Sequence, residues 1–292
     1  MKFREYRLQS NYKNIYYFLK DNGFSENFIT NLRKNEGSLI VNGKIANTKT
    51  PLEKDDLLEI NPSPNAKTTI MHCILPLDIV YEDEYYLLIN KPSNLSSMPN
   101  KSHYSSNLAG AICYYFKDKE DFVLRMINRL DKDTSGLILI AKDSISQKDV
   151  KNIKKTYYAL CEGKIDNDTT INKKIETITN NGINDKKRII SNNGKEATTF
   201  VHPMRSNEKA SLVSLQLEYG RTHQIRVHLS SIGHPLIGDE LYGQKSDLID
   251  HTALVCGEFS FFHPYLKRQL DFKIAFPEDF VKCMDSLLTQ DS

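Results

Sequence analysis

Apolar positions recur along this chain at two periods, and the period changes from segment to segment. In NYKNIYYFLKDNG (11–23), Ile15, Phe18 and Leu19 fall at helical spacing, and Gly23 supplies the residue that ends a helix. Ser25 is placed to cap a second helix, striped by Phe28, Ile29 and Leu32. SLIVNGKIA then sets Asn42-Gly43 between two β-rich pieces, the pattern of a tight hairpin, and DDLLEI adds a further short strand. Two helices and a hairpin make a small module that closes near residue 61, with Arg33, Lys34 and Lys44 on a basic face.

NPSPNAKTTIMHC has two prolines and no periodicity, so residues 62–75 are expected as a linker between a first domain at 1–61 and a second at 76–285, with a tail at 286–292. DIVYEDEYYLLINKPSNLSSMP predicts strand, turn, strand and loop. Leu108, Ile112 and Phe116 predict a helix within 104–119, and Leu137 to Ala141 a strand. KKTYYALCEGKI (154–165), ATTFVHPM and SLVSLQLEYG alternate as strands, whereas 166–194, thick with Asn, Asp and Lys, reads as hairpins and loops of no resolvable pattern. RTHQIRVHLSSIGHP predicts a helix capped by Thr222, striped by Ile225, Leu229 and Ile232, and ended by Gly233. The fold class expected is α+β, with a largely antiparallel mixed sheet and no internal repeat.

Length and composition narrow the picture. At 292 residues the chain suits two domains or one large core with an appendage. The net charge of +2 is too small for a protein that holds polyanions by field alone, but residues 1–75 carry 11 Lys and Arg against 8 Asp and Glu, and 76–292 carry 28 against 29. The basic excess lies in the first module. Five scattered cysteines form no CxxC pair, which suggests neither a disulfide framework nor a zinc site. No apolar run approaches a membrane span, and a cytoplasmic protein is expected.

Two segments combine charge, small residues and element ends. One is INRLDKDTSGLILIAKD (127–143), where Arg129, Asp131, Lys132 and Asp133 crowd one turn ahead of a strand. A chain reversal explains such a cluster as well as chemistry does. The other is YGRTHQIRVHLSSIGHPLIGD, where Arg226 follows His223 by three residues and can meet a carboxylate from the helix's buried side. A carboxylate paired with arginine stays ionised and oriented, as a nucleophile requires, and Asp131 is the candidate. His223 and His228 are five apart, a poor spacing for one metal, and HExxH, GxSxG and GxxxxGK[ST] are lacking. Asp131 and Asp133 sit side by side, not across a sugar as glycosidase carboxylates do.

INRLDKDTSGLILIAKD closely resembles the HRLDxxTSG motif of the RluA family of RNA pseudouridine synthases. VYEDEYYLLINKPSNL, KKTYYALCEG, GKEATTF, YGRTHQIRVHLSSIGHPLIGDELYG and ALVCGEFSFFHP resemble further family segments in the family's order, over roughly residues 76 to 278. Residues 12–61 look like the S4 RNA-binding domain that many of these enzymes carry.

The resemblance implies isomerisation of uridine in RNA: the N1–C1′ bond breaks, the uracil turns, and C5 is joined to C1′, with no cofactor or metal. It implies Asp131 as nucleophile, by direct attack or by a glycal route, Arg226 as its partner, and Tyr157 against the target base. Arg129 matches an arginine near the flipped nucleotide, and Arg33, Lys34 and Lys44 are expected at the RNA. The family has His where this chain has Asn128, which can hydrogen-bond RNA but cannot titrate near neutrality. Large-subunit ribosomal RNA is the expected substrate, transfer RNA the alternative, and a monomer the expected state. An RNA-binding or ribosome-assembly factor without catalysis is the rival function, and a glycosidase acting on nucleosides or sugars a further one.

Overall fold

The structure, a computed structural model, describes residues 3–61, 70–99, 105–119, 122–180 and 183–289. Most of the linker expected at 62–75 lies outside them. The chain divides into two compact units, each assembled from three segments: Met1–Leu88, Met98–Asn128 and Leu139–Val150 form the first, and Ile89–Ser97, Arg129–Ile138 and Lys151–Ser292 the second.

The first unit begins with β1 (Arg4–Arg7), α1 (Ile15–Asp21), α2 (Glu26–Lys34), β2 (Leu39–Val41), β3 (Lys44–Ile45) and β4 (Leu57–Ile60). Asn14 and Ser25 cap the two helices through side-chain oxygens, and Asn42 and Gly43 both take positive φ, as the two-residue hairpin between β2 and β3 demands. The strands pair in the order β1-β4-β2-β3. Strand β1 escapes the sequence reading because its buried position is Arg4, a charge where the pattern asks for an apolar residue. Arg4 Nη2 donates to Asp143 Oδ2 at 2.6 Å, and its guanidinium lies 4.2 Å from the centre of the Tyr85 ring.

The unit continues with β5 (Asp78–Glu82), β6 (Tyr86–Lys91), α3 (Leu108–Tyr115), β7 (Arg125–Met126), β8 (Ser135–Ala141) and α4 (Ser144–Asp149). Asp143 caps α4, which was not anticipated, by accepting from the Ile145 and Ser146 amides. Ile145 joins Ile15, Leu19, Ile29, Leu58 and Ile60 in one core. The contacts of Arg4 and Ile145 explain why the units do not part at the boundary expected near 62–75: the first 61 residues are packed onto later segments. Strands β6 and β8 each run on from one unit into the other.

The second unit holds β9 (Lys151–Glu162), β10 (Thr169–Asn172), β11 (Ile175–Asn180), β12 (Ile183–Ile190), β13 (Thr198–Ser206), β14 (Ala210–Leu217), α5 (Gln224–Ser230), β15 (Leu254–His263), β16 (Arg268–Lys273) and α6 (Glu278–Leu288). Its strands run in the order β10-β13-β14-β9-β15-β8, with β16 added to β15 and β11-β12 as a separate hairpin. All these pairings are antiparallel except β15 with β8, so the sheet is mixed. The polar stretch 166–194 therefore holds three strands, formed by pairing that composition does not advertise. Helix α6 seats Phe280, Cys283 and Leu288 on Leu160, Leu212 and Val255, so the tail boundary drawn at 285 cuts through a helix that is part of the core.

None of the helices among the described residues is long and apolar enough to cross a membrane.

Gly136, at the start of β8, has φ +112°, and a Cβ there would run into the carbonyl of Cys256 on β15. Only glycine lets these two parallel strands close. Gly136→Ala is expected to lower the unfolding free energy by about 3 kcal/mol, read by denaturant titration; an unchanged midpoint would show that the strands can part without cost.

Candidate active site

The loop that carries Asp131 is fixed by side chains beneath it, all within the second unit. Ser97 Oγ donates to Leu130 O at 2.6 Å and accepts from Leu130 N at 3.3 Å. Lys91 is fully buried, and its Nζ donates to the carbonyls of Pro92 (2.7 Å), Leu95 (2.8 Å) and Lys132 (3.1 Å). Three acceptors match the three N–H bonds of an ammonium. The Thr134 amide closes the turn on Asp131 O at 3.2 Å. Lys91 thus anchors the peptide next to Asp131.

Helix α5 supplies the facing groups. It starts one residue later than expected, with His223 in the left-handed region (φ 57°) and no side-chain cap, so Thr222 is not the cap. Gln224 to Leu229 are all buried, a helix enclosed on every side and not striped. Its polar members have partners: Gln224 Nε2 donates to Thr198 O, and His228 meets Thr199 Oγ1 and Lys173 O, each at 2.9 Å.

Arg226 makes the strongest of these contacts. Its Nε and Nη2 each donate to a different oxygen of Asp239 at 2.7 Å. The Arg226–Asp131 pairing expected from sequence is present as an ion pair, with Nη1 3.9 Å from Asp131 Oδ2, while the planar fork is taken by Asp239, which is completely buried. Burial opposes the charge on Arg226, but the hydrogen bonds and charge of Asp239, with Asp131 and Asp133 behind them, hold its pKa above the ordinary value. Asp239 also accepts from the Leu241 and Tyr242 amides. It follows Gly238, which has positive φ and no room for a Cβ against His251 O.

His223 Nε2 lies 3.9 Å from the same Asp131 oxygen, and its Nδ1 is 3.0 Å from Tyr242 Oη, which accepts from the Arg188 amide at 2.6 Å. Burial, with help from Arg226 and Arg188, pushes its pKa down against the pull of Asp131 and Asp239. His223 and His228 thus serve different neighbours. The Asp131 side chain is 29 % exposed, so a carboxylate open to solvent faces a buried guanidinium and a neutral imidazole.

Tyr157 is 6 % exposed, on β9 directly opposite Cys256. Burial, then Cys256 and Asp131, raise its pKa well above the ordinary phenol value, so it is a neutral hydroxyl at neutral pH. Tyr158 faces the other way, donating to Glu258 at 2.7 Å. Arg129 is exposed and makes no hydrogen bond or ion pair among the described residues. Asn128, expected at the RNA, is instead buried, its Oδ1 accepting from Leu139 N at 2.9 Å. Arg33, Lys34 and Lys44 are exposed. Asp250, His251 and Asp279 bring three metal-binding atoms within 4.8 Å of one another but share no residue with this set.

Asp239, which holds Arg226, is the member of this cluster not anticipated from the sequence. The signal was present: an arginine predicted to be buried needs a carboxylate, and LIGDELYG offers one just after the helix.

Two predictions follow from the buried ions. Asp239→Asn, which leaves Arg226 with one acceptor in place of two and only the more distant Asp131 as counter-charge, is expected to destabilise the protein by about 3 kcal/mol in denaturant unfolding; a loss below about 1 kcal/mol would mean the guanidinium is solvated. For Lys91, burial lowers the pKa to about 7, against the charges of Asp133 and Asp131. An unfolded lysine keeps its proton to about 10.4, so between these values the unfolded state binds more protons and stability rises with pH. The unfolding free energy of wild type minus that of Lys91→Met is expected to grow by up to about 1.4 kcal/mol per pH unit across that window; a level difference would mean Lys91 holds its proton throughout.

Residues 85–231 match the RNA pseudouridylate synthase family. The chain is 36 % identical over 273 residues to the uncharacterized RNA pseudouridine synthase YjbO of Bacillus subtilis (strain 168), covering 89 % of this chain and 94 % of that protein. It is 30 % identical over 274 residues to the ribosomal large subunit pseudouridine synthase D of Zymomonas mobilis, covering 83 % and 85 %. Among solved structures, human RNA pseudouridylate synthase domain containing 1 superposes with a TM-score of 0.57 at 24 % identity, covering 74 % of this chain and 91 % of that one, a likeness of fold.

Proposed function

The chain belongs to the RNA pseudouridylate synthase family, an isomerase acting on RNA, and from that premise we propose that Asp131 is the nucleophile with which it rearranges uridine. The observation that carries this reading is the convergence on one oxygen of the partly exposed Asp131 carboxylate of Arg226 Nη1 and His223 Nε2, both at 3.9 Å, with Arg226 itself locked by Asp239. A nucleophile must be reachable by substrate and still sit in a fixed field, and this arrangement supplies both.

In the proposed reaction the N1–C1′ bond breaks with Asp131 taking or stabilising C1′. The freed uracil turns, C5 bonds to C1′, the C5 proton leaves and N1 gains one, so the product is an isomer. Tyr157 contributes an aromatic face and a protonated hydroxyl to the base. Its raised pKa makes a phenolate base unavailable at neutral pH. Lys91 and Ser97 act through the backbone of the Asp131 loop as positioning residues. Arg129, exposed beside the loop, is assigned to the RNA backbone around the target.

The substrate we assign is large-subunit ribosomal RNA, a reaction of the cytoplasm. The likeness to the Zymomonas enzyme, whose name specifies the ribosomal large subunit, supports this over transfer RNA. The N-terminal module is assigned as S4-like. Two capped helices and a hairpin that leave Arg33, Lys34 and Lys44 exposed suit a grip on RNA phosphates.

The test is a map of pseudouridine in ribosomal and transfer RNA from cells lacking this protein, complemented with wild type or with Asp131→Asn. A large-subunit site is expected to disappear, to return with wild type, and to stay absent with the variant, whose rate should fall about a thousandfold or more. Restoration by Asp131→Asn would remove Asp131 as nucleophile, and a site in transfer RNA would replace the substrate.

A further inference from the structure

Lys155 is a cation on the same face of β9 as Tyr157, and no anion pairs with it among the described residues. Residues two apart on a strand point the same way. The register fixes which way this is: Tyr158 and Glu258, paired through Oη and Oε1, occupy the opposite face, while Tyr157 lies opposite Cys256 and Lys155 opposite Phe259. The Lys155 Nζ reaches to 4.0 Å from where a Cβ would stand on Gly220, the residue that leads into Arg221, His223 and α5.

The side chain is half-buried and makes no hydrogen bond or ion pair among the described residues. Burial lowers its pKa, and the group that pulls the other way is Cys256, a fully buried thiol itself pushed up to about 12 and so uncharged at neutral pH. A half-buried ammonium with no ion-pair partner among the described residues favours the arrival of an anion. Gly220, with no side chain, leaves the approach to Nζ open from that loop.

We propose that Lys155 binds a backbone phosphate of the RNA beside the nucleotide that Tyr157 and Asp131 receive. The proposal rests on the reading of this pocket as the uridine site, and it adds the group that grips the sugar-phosphate chain there. Phosphate contacts set position and register without reading sequence, so Lys155 would hold the strand while the base is turned. The alternative anchor, an oxygen of the uracil ring, would draw on hydrogen bonding and displace no counterion.

Salt dependence separates the two. Affinity of the full-length protein for a single-stranded, uridine-containing oligoribonucleotide is measured by anisotropy between about 50 and 200 mM salt. Lys155→Met is expected to weaken binding about fivefold or more at the low end and to reduce the slope of log affinity against log salt by about 0.7 to 1, while Lys155→Arg keeps the wild-type slope. Lys155→Gln, polar and of similar length, gives the same reading should the methionine variant fail to fold. An unchanged slope in the neutral variants overturns the proposal, whether or not affinity falls. Pseudouridine formation is assayed in parallel on transcribed large-subunit ribosomal RNA. A Lys155-dependent slope without product would overturn the assigned reaction and leave the phosphate contact standing, and product with an unchanged slope would do the reverse.

Discussion

The bidentate bond between Arg226 and Asp239 is the constraint on which the arrangement around Asp131 depends. Two charges buried this deeply are tolerable only as a pair with well-aligned hydrogen bonds, and the geometry that satisfies them fixes several things together. Both nitrogens on one edge of the guanidinium are consumed by Asp239, so the remaining one must point to Asp131. Asp239 Oδ1 also accepts from the amides of Leu241 and Tyr242, which sets the Tyr242 ring 5.4 Å from the Arg226 guanidinium and its hydroxyl against His223. One buried ion pair thus aims two groups at a carboxylate that neither of them touches closely.

The Asp131 side is built by a different means. Backbone carbonyls of two chain reversals meet on the Lys91 ammonium, and Ser97 clasps Leu130 at both its amide and its carbonyl. Neither device involves the carboxylate itself, which remains open to a ligand. Rigidity comes from beneath the loop and the carboxylate is left accessible above it, the division that the proposed role of Asp131 requires.

Much of this was legible in the residues, for reasons that can be named. Capped helices α1 and α2, the Asn42-Gly43 hairpin and strands β6, β8 and β9 follow patterns in which local preference and burial agree. The family resemblance located Asp131, Tyr157 and Arg226 in one unit, but their partners depend on pairings distant in sequence. Asp239 lies 13 residues from Arg226 across a turn set by Gly238, and Arg4 finds Asp143 at a separation of 139 residues. Strand β1 and helix α5 misled the pattern in the same way: each buries polar side chains that are satisfied by remote groups, which a hydrophobic period cannot register. Asn128 was expected outward because of its motif, yet its amide oxygen completes the backbone pairing of Leu139.

The interleaving of the two units bears on the order in which the protein can be made. The first unit needs nothing beyond Val150, so its core can assemble while the second half of the chain is still being synthesised. The second unit cannot: its Ile89–Ser97 and Arg129–Ile138 segments emerge early, and β8 must wait for β15 to pair with it. The Asp131 loop is among those waiting segments. Until translation has passed Asp239, the nascent chain carries the Asp131 carboxylate without the ion pair that orients its neighbours, so the arrangement around Asp131 is completed only after those later residues have emerged.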